Sequence, residues 1–235
     1  MTGSAVWAVL PVKGFVNAKK RLKPLLGPGE RKAFAMAMFD DVMAACTASR
    51  SLSGILVVTS DDEVLHRAER AGGRILREER ERGINAALHD GIAALRQVAS
   101  AVVALPSDLP LITPNALDEV GGLCEAENVI AIARASRDGG TNLLACSPSG
   151  LIKPGFGPDS FERHRSLARQ AGIDPVAVRG EGWALDVDTP EDVARFLAVL
   201  SATFAHRTLM EMGAGARLRP LASCREAGFP TAMPR

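Results

Sequence analysis

The feature that most constrains how this chain can fold is an alternation. Apolar runs at 5–12, 54–59, 101–105 and 128–134 are separated by longer stretches with helical character. Short runs of this kind, without polar alternation, predict strands covered on both faces. Helix starts follow them. Gly27-Pro28-Gly29-Glu30 opens a helix to about residue 48, and Ser60-Asp61-Asp62-Glu63 is a capping-box pattern for one that stops at Gly72-Gly73. Another helix is expected from Gly83 to about 99. Thr113 caps the next, with Pro114 at its first position, and two more are expected over 160–171 and 190–201. Weaker strands are expected at 74–77, 143–146, 175–178 and 183–187. The whole predicts a three-layer α/β/α fold with a mostly parallel sheet. One domain would span 1–204. The tail 205–235, with three prolines and no long periodic pattern, reads as a loosely ordered extension.

Composition removes several classes of function. A net charge of +1 offers no surface for nucleic acid or a membrane, and with 4% aromatics and no tyrosine there is no stacking platform for single strands. No apolar run reaches the roughly 18 residues of a membrane span. No basic segment precedes the first apolar stretch, so a secretory leader is not expected. Cys46, Cys124, Cys146 and Cys224 are scattered without a C-x-x-C pair, which argues against a zinc or disulfide framework and fits a reducing cytoplasm.

In open α/β sheets, ligands bind beyond the carboxyl ends of the strands. AVVALPSDLP (101–110) is a buried strand stopped by two prolines, and it delivers Asp108 to that rim. Asp186 and Asp188 stand at i and i+2 of an extended segment, so they face one side. Mg²⁺ on phosphates uses one or two carboxylates plus phosphate oxygens and water. One acid from Asp108 and one from the pair would meet that demand, so Asp108, Asp186 and Asp188 are the expected metal ligands, with the choice within the pair open. Capping or orienting roles stay open for the last two, and Glu191 and Asp192 are assigned to helix capping.

The loop after the first strand carries Lys13, Lys19, Lys20, Arg21 and Lys23. Such a loop can neutralise a triphosphate, though it has neither a P-loop nor a G-x-G-x-x-G pattern. Lys13, closest to the strand end, is the expected phosphate and catalytic lysine, with Arg21 and Lys23 second. Asn85, at the start of the 83–99 helix, has the donor and acceptor that base recognition needs, and a plain helix start is the alternative. Ser107 lies beside Asp108, on the nucleotide side, and is not part of a G-x-S-x-G elbow. Thr141-Asn142 and the Gly157–Ser160 helix start could hold a phosphate or carboxylate, with ordinary turn chemistry as the alternative. The four histidines lack metal spacing and read as helix-filling residues.

LPVKGFVNAKKRL (10–22), RGINAAL (82–88), LPSDLPLITP (105–114), GGTNLL (139–144), FGPDSFERH (156–164) and DVDTPEDV (186–193) together resemble the CofC-like 2-phospho-L-lactate guanylyltransferase family of coenzyme F420 biosynthesis. The resemblance runs from about residue 6 to 200 and leaves out the tail. It implies the nucleotide-diphospho-sugar transferase fold, an enzyme of the nucleotidyltransferase class, Mg²⁺, and GTP as co-substrate. It also implies a small phosphorylated acid: 2-phospho-L-lactate, phosphoenolpyruvate or 3-phospho-D-glycerate. The product would be labile and passed to the next enzyme of the pathway, and a homodimer is left open. By position, Asp108, Asp186 and Asp188 look like the metal ligands and Lys13 like the phosphate-facing lysine. Thr141, Gly157 and Ser160 look like contacts to the acid. Asp159 departs from the common form and puts a negative charge beside the expected anion site. A molybdopterin guanylyltransferase would carry a glycine-rich first loop that is missing here. The other rival is a non-catalytic nucleotide-binding protein, against which the retained acids and Lys13 argue.

Overall fold

The computed structural model describes residues 5–218. In chain order the elements are β1 (Val6–Pro11), α1 (Pro28–Ala48), β2 (Leu52–Thr59), α2 (Asp62–Arg70), β3 (Arg74–Arg77), α3 (Ile84–Ala94), β4 (Ala101–Ala104) and α4 (Pro114–Leu123). There follow β5 (Val129–Arg134), β6 (Thr141–Ser147), α5 (Ser160–Gln170), β7 (Val176–Val178), α6 (Glu181–Ala184), α7 (Pro190–Ala198) and α8 (Phe204–Glu211). The seven strands form one sheet in the order β3-β2-β1-β4-β6-β5-β7. Only β6 runs against its neighbours, β4 and β5; every other pairing is parallel.

Side chains along β1 alternate between two cores, as an extended chain requires. Val6, Ala8 and Leu10 pack with α1, α2 and α4 on one face, and Trp7 and Val9 pack with α3 and α5 on the other. This is the three-layer α/β/α arrangement expected from the apolar runs. Two expected caps form: Thr113 accepts from Ala116, and Thr189 exchanges bonds with Asp192. At α2 the cap is Asp61, one residue past the expected Ser60, and it accepts from the Glu63 and Val64 N–H groups. The parallel strands point their carboxyl ends to one rim, where the loops after β1, β3 and β4 meet.

Two expectations are corrected. Residues 183–187 are not a strand. The single turn of α6 is followed by an extended segment, which the Val187 N–H ties to the Asp108 carbonyl at 3.3 Å. Leu185 and Val187 point into a third core while Asp186 and Asp188 turn the other way. The second correction concerns the tail, which is not loosely ordered over 205–218. Helix α8 lies on α1, burying Ala205 and Leu209 in the third core. Both carboxylate oxygens of Asp41, on α1, accept the first N–H groups of α8, from Phe204 at 2.7 Å and Ala205 at 2.9 Å. The rest of the expected extension, 219–235, lies outside the described residues.

Candidate active site

Asp108 stands four residues past β4, beside the extended segment that carries Asp188. The ammonium of Lys19 lies between them, with Nζ 2.8 Å from Asp108 Oδ2 and 2.7 Å from Asp188 Oδ1. The lysine side chain is only 8% exposed. Its backbone is left-handed, at φ 51 and ψ 43, and turns the side chain inward between two 3-10 turns. A non-glycine residue in that region is strained, a cost that persists only where the surroundings over-determine it. Burial opposes the charge on Lys19, but Asp108 and Asp188 outweigh it and hold its pKa above the ordinary value. Burial raises the Asp108 pKa despite Lys19, whereas at Asp188 burial is overcome by Lys19, Arg137 and Arg21 and the pKa falls.

Arg137, which precedes the Asp138-Gly139-Gly140 turn, closes the cluster. Its Nη2 donates to Asp186 Oδ2 and Asp188 Oδ2, each at 3.1 Å. The other Asp186 oxygen accepts from Asn142 Nδ2 at 3.3 Å. Of the pair Asp186 and Asp188, it is Asp188 that stands with Asp108, and no group of three or more acids, histidines or cysteines suited to a metal occurs among the described residues. Asp108 and Asp188 do suit a divalent cation. They already share one cation, Lys19, and Asp108 Oδ1 is a buried carboxylate oxygen that accepts no hydrogen bond. Two carboxylates are within the one or two that Mg²⁺ on phosphates uses.

A cavity of about 570 Å³ opens beside this cluster, lined by residues that include Lys13, Gly14, Lys19, Arg21, Glu78, Ile84, Ala87, Ser107, Asp108 and Asp188. Lys13 reaches it but pairs with Glu81 at 3.1 Å and touches neither acid. The lysine that meets the acids is Lys19, six positions on. Arg21 is exposed and 3.8 Å from Asp188 Oδ2. Lys23 is exposed and does not line the cavity, because the second 3-10 turn carries it away. A Cβ at Gly14 would stand 2.5 Å from Asp61 Oδ2, so a larger residue there would have to displace the side chain that caps α2.

Asn85 is not free to read a base. Its Oδ1 accepts the Phe156 N–H at 2.7 Å and its Nδ2 donates to the Phe156 carbonyl at 3.0 Å, so both functions hold the loop before α5. The expected acid-side residues are brought together, but facing inward. Thr141, Asn142 and Ser160 are buried and do not line the cavity. Ser160 Oγ donates to Thr141 Oγ1 at 2.9 Å, and Asn142 Nδ2 donates to the Trp183 carbonyl at 2.9 Å. Gly157, at φ +139, has open space where a side chain would stand, and Asp159 is exposed.

His164 organises that corner. The Gly155 N–H donates to its Nε2 at 2.9 Å, so in the neutral ring Nδ1 carries the proton and donates to Thr141 Oγ1, also at 2.9 Å. Burial lowers its pKa to about 4. Sequence reasoning missed Lys19, Arg137, Glu78 and His164. Three of them lie inside or beside the recognised motifs, and only long-range contacts distinguish them.

Residues 6–222 match the profile of the family described as "Guanylyl transferase CofC like". The chain belongs to the CofC-like guanylyl transferase family. The family match passes the boundary expected at 204 and takes in α8. This CofC-like chain is 38% identical over 189 residues to the phosphoenolpyruvate guanylyltransferase of Sphaerobacter thermophilus, covering 79% of this chain and 89% of that one. It is 37% identical over 189 residues to the 3-phospho-D-glycerate guanylyltransferase of Phenylobacterium zucineum, covering 79% and 86%. It is 35% identical over 209 residues to the 2-phospho-L-lactate guanylyltransferase of Methanothermobacter thermautotrophicus, covering 87% and 90%. Its fold is shared with a Desulfovibrio desulfuricans chain described as a nucleotide-diphospho-sugar transferase, at TM-score 0.74 and 18% identity over 92% of this chain and 98% of that one. Rv0371c of Mycobacterium tuberculosis, solved in complex with manganese, shares the fold at TM-score 0.54 and 21% identity, covering 84% and 100%. The CofC-like chain is a nucleotidyltransferase, and among its described residues no helix is long and apolar enough to cross a membrane.

Proposed function

We propose that this chain transfers GMP from GTP to the phosphate of a small phosphorylated carboxylic acid, releasing pyrophosphate, as a step in coenzyme F420 biosynthesis. The acid is phosphoenolpyruvate, 3-phospho-D-glycerate or 2-phospho-L-lactate, the three named in the relatives. The observation that carries the reading is the buried Lys19 between Asp108 and Asp188 at the wall of the 570 Å³ cavity. The cavity has room for a nucleotide, and its cations and carboxylates meet at the rim where the fold leaves the carboxyl ends of β1 and β4.

In the proposed reaction an oxygen of the acid's phosphate attacks the α-phosphorus of GTP. The bond from that phosphorus to the β-phosphate bridging oxygen breaks, and pyrophosphate leaves with the electron pair. The attacking phosphate is already ionised near neutral pH, so the step needs no general base. Mg²⁺ held by Asp108 and Asp188 would supply charge neutralisation on the phosphates. Lys19, Lys13 and Arg21 place positive charge along the cavity, where the phosphates gain negative charge as the transition state forms. Asp186, held by Arg137 and Asn142, orients the segment that carries Asp188. The Thr141–Ser160–His164 network and Asn85 fix the 155–160 loop, so the acid would meet a set backbone at Gly157 rather than a mobile one.

Pyrophosphate release from GTP and Mg²⁺, with each of the three acids supplied separately, tests the reading. Release with one acid is expected, and Asp108→Ala should lower it by about 10²-fold or more, the scale of a lost electrostatic stabiliser. GTP bound with no pyrophosphate released for any acid, or near-full release by the variant, would overturn it.

A further inference from the structure

Glu78 follows β3 at the cavity rim, where its N–H bonds the Thr59 carbonyl at 2.8 Å. It lines the same cavity as Lys19 and Asp108. Its side chain is only 7% exposed, yet its Oε1 is buried and accepts no hydrogen bond. The neighbouring guanidinium, Arg82, forms an ion pair with Oε1 at 3.6 Å, beyond hydrogen-bond reach, and donates its hydrogen bond to Asp90 instead. A buried carboxylate oxygen without a donor is costly, and natural structures keep few of them without a purpose.

The position of Glu78 suggests that purpose. The sheet order sets β3 three strands from β4. At ~4.8 Å per strand the two lie roughly 14 Å apart. A nucleotide whose phosphates meet Lys19 and Asp108 would extend its base toward β3, along Val12, Ile84 and Ala87 of the same cavity. Guanine offers two adjacent donors on its pairing edge, N1–H and the 2-amino group. Adenine offers an acceptor at N1 and no 2-amino group. A carboxylate only accepts, so it matches guanine and repels adenine.

We propose that Glu78 selects the base, its carboxylate accepting both N1–H and the 2-amino group of guanine. The proposal deepens the guanylyl-transfer reading and rests on it. It also assigns to Glu78 the task that Asn85, spent on Phe156, cannot perform.

The test compares the wild type and Glu78→Gln with Mg²⁺ and the acid substrate, using GTP, XTP, ITP and ATP, by pyrophosphate release. The wild type should prefer GTP to ATP, and should prefer GTP to ITP, which lacks the 2-amino group, by about tenfold. In Glu78→Gln the GTP/ATP ratio of kcat/KM should fall roughly 10- to 100-fold, mainly through KM, the scale of one bidentate base contact. XTP should rise relative to GTP, because the xanthine C2 carbonyl accepts from the glutamine amide while N1–H donates to its carbonyl. A folding defect would depress all four nucleotides together and could not produce that exchange. An unchanged GTP/ATP ratio in the variant, or equal use of GTP and ITP by the wild type, would overturn the role of Glu78 and leave guanylyl transfer intact. A wild type without preference for GTP over ATP would overturn both.

Discussion

Lys19→Met removes the cation between Asp108 and Asp188 while keeping a side chain of similar length. The two carboxylate oxygens, at 2.8 and 2.7 Å from one nitrogen, lie within about 5.5 Å of each other. Two like charges at that distance repel by about 3 kcal/mol at an effective dielectric constant of 20. Breaking a buried ion pair from one side costs about 3–5 kcal/mol. The carboxylates themselves are 26% and 28% exposed, so water screens part of the repulsion. A loss of about 2–3 kcal/mol is therefore expected. For a chain of this size each kcal/mol moves Tm by about 2–4 °C, so the variant should melt roughly 5–10 °C below the wild type in metal-free buffer. The gap should narrow as the pH falls into the carboxylate range, because protonating one acid removes the repulsion. Mg²⁺ should raise the variant's Tm more than the wild type's, since it replaces the missing charge. Thermal unfolding by circular dichroism, with and without Mg²⁺ and at several pH values, makes the comparison. A drop below about 2 °C in metal-free buffer, the size of an ordinary surface substitution, would refute the assignment of Lys19 as the counter-charge of this pair.

Two neighbouring glycines of α4 should respond in opposite directions. A Cβ at Gly121 would stand 2.2 Å from the Ser51 Cβ, whereas Gly122 has nothing within 4 Å. Gly121→Ala should cost about 1–3 kcal/mol and Gly122→Ala should gain about 0.5–1 kcal/mol, read from urea midpoints. His164 predicts a pH dependence. Its folded pKa of about 4 lies below the 6.5 of an unperturbed histidine, so the folded chain binds the proton less readily. The stability it contributes is complete above about 6.5 and is lost as the pH falls toward 4, by up to roughly 3 kcal/mol at 1.36 kcal/mol per pH unit. His164→Gln cannot take up that proton, so its urea midpoint should fall less steeply than the wild type's between pH 7 and 4. Equal slopes would show that His164 is not held neutral.

Several elements were legible because their causes are local. β1, β2, β4 and β5 are short apolar runs, and the caps of α2, α4 and α7 are made by residues within a turn of the helices they start. The strand over 183–187 was misread because an apolar extended segment looks the same whether it pairs in a ladder or spans from α6 to Asp108. Helix α8 has a local cap, Thr203, but was missed because what holds it on α1, Asp41, lies 163 residues earlier than Phe204. Lys13 was preferred to Lys19 because it is nearer the strand end. Distance along the chain does not reveal that a left-handed residue would turn Lys19 back between two acids.

By itself, then, the sequence determined the β/α alternation, the helix starts, the family motifs and the presentation of Asp108 at a strand's carboxyl end. All of these rest on propensities and hydrogen bonds within a few residues. Tertiary structure alone decided which lysine meets Asp108 and Asp188, that Arg137 holds Asp186, that Asn85 is spent on Phe156 and that Glu78 lines the cavity with one buried carboxylate oxygen left without a donor. The Lys19 contacts join residues 89 and 169 positions apart. Which side chains meet over such separations is set by strand order and loop geometry, and no local pattern encodes them.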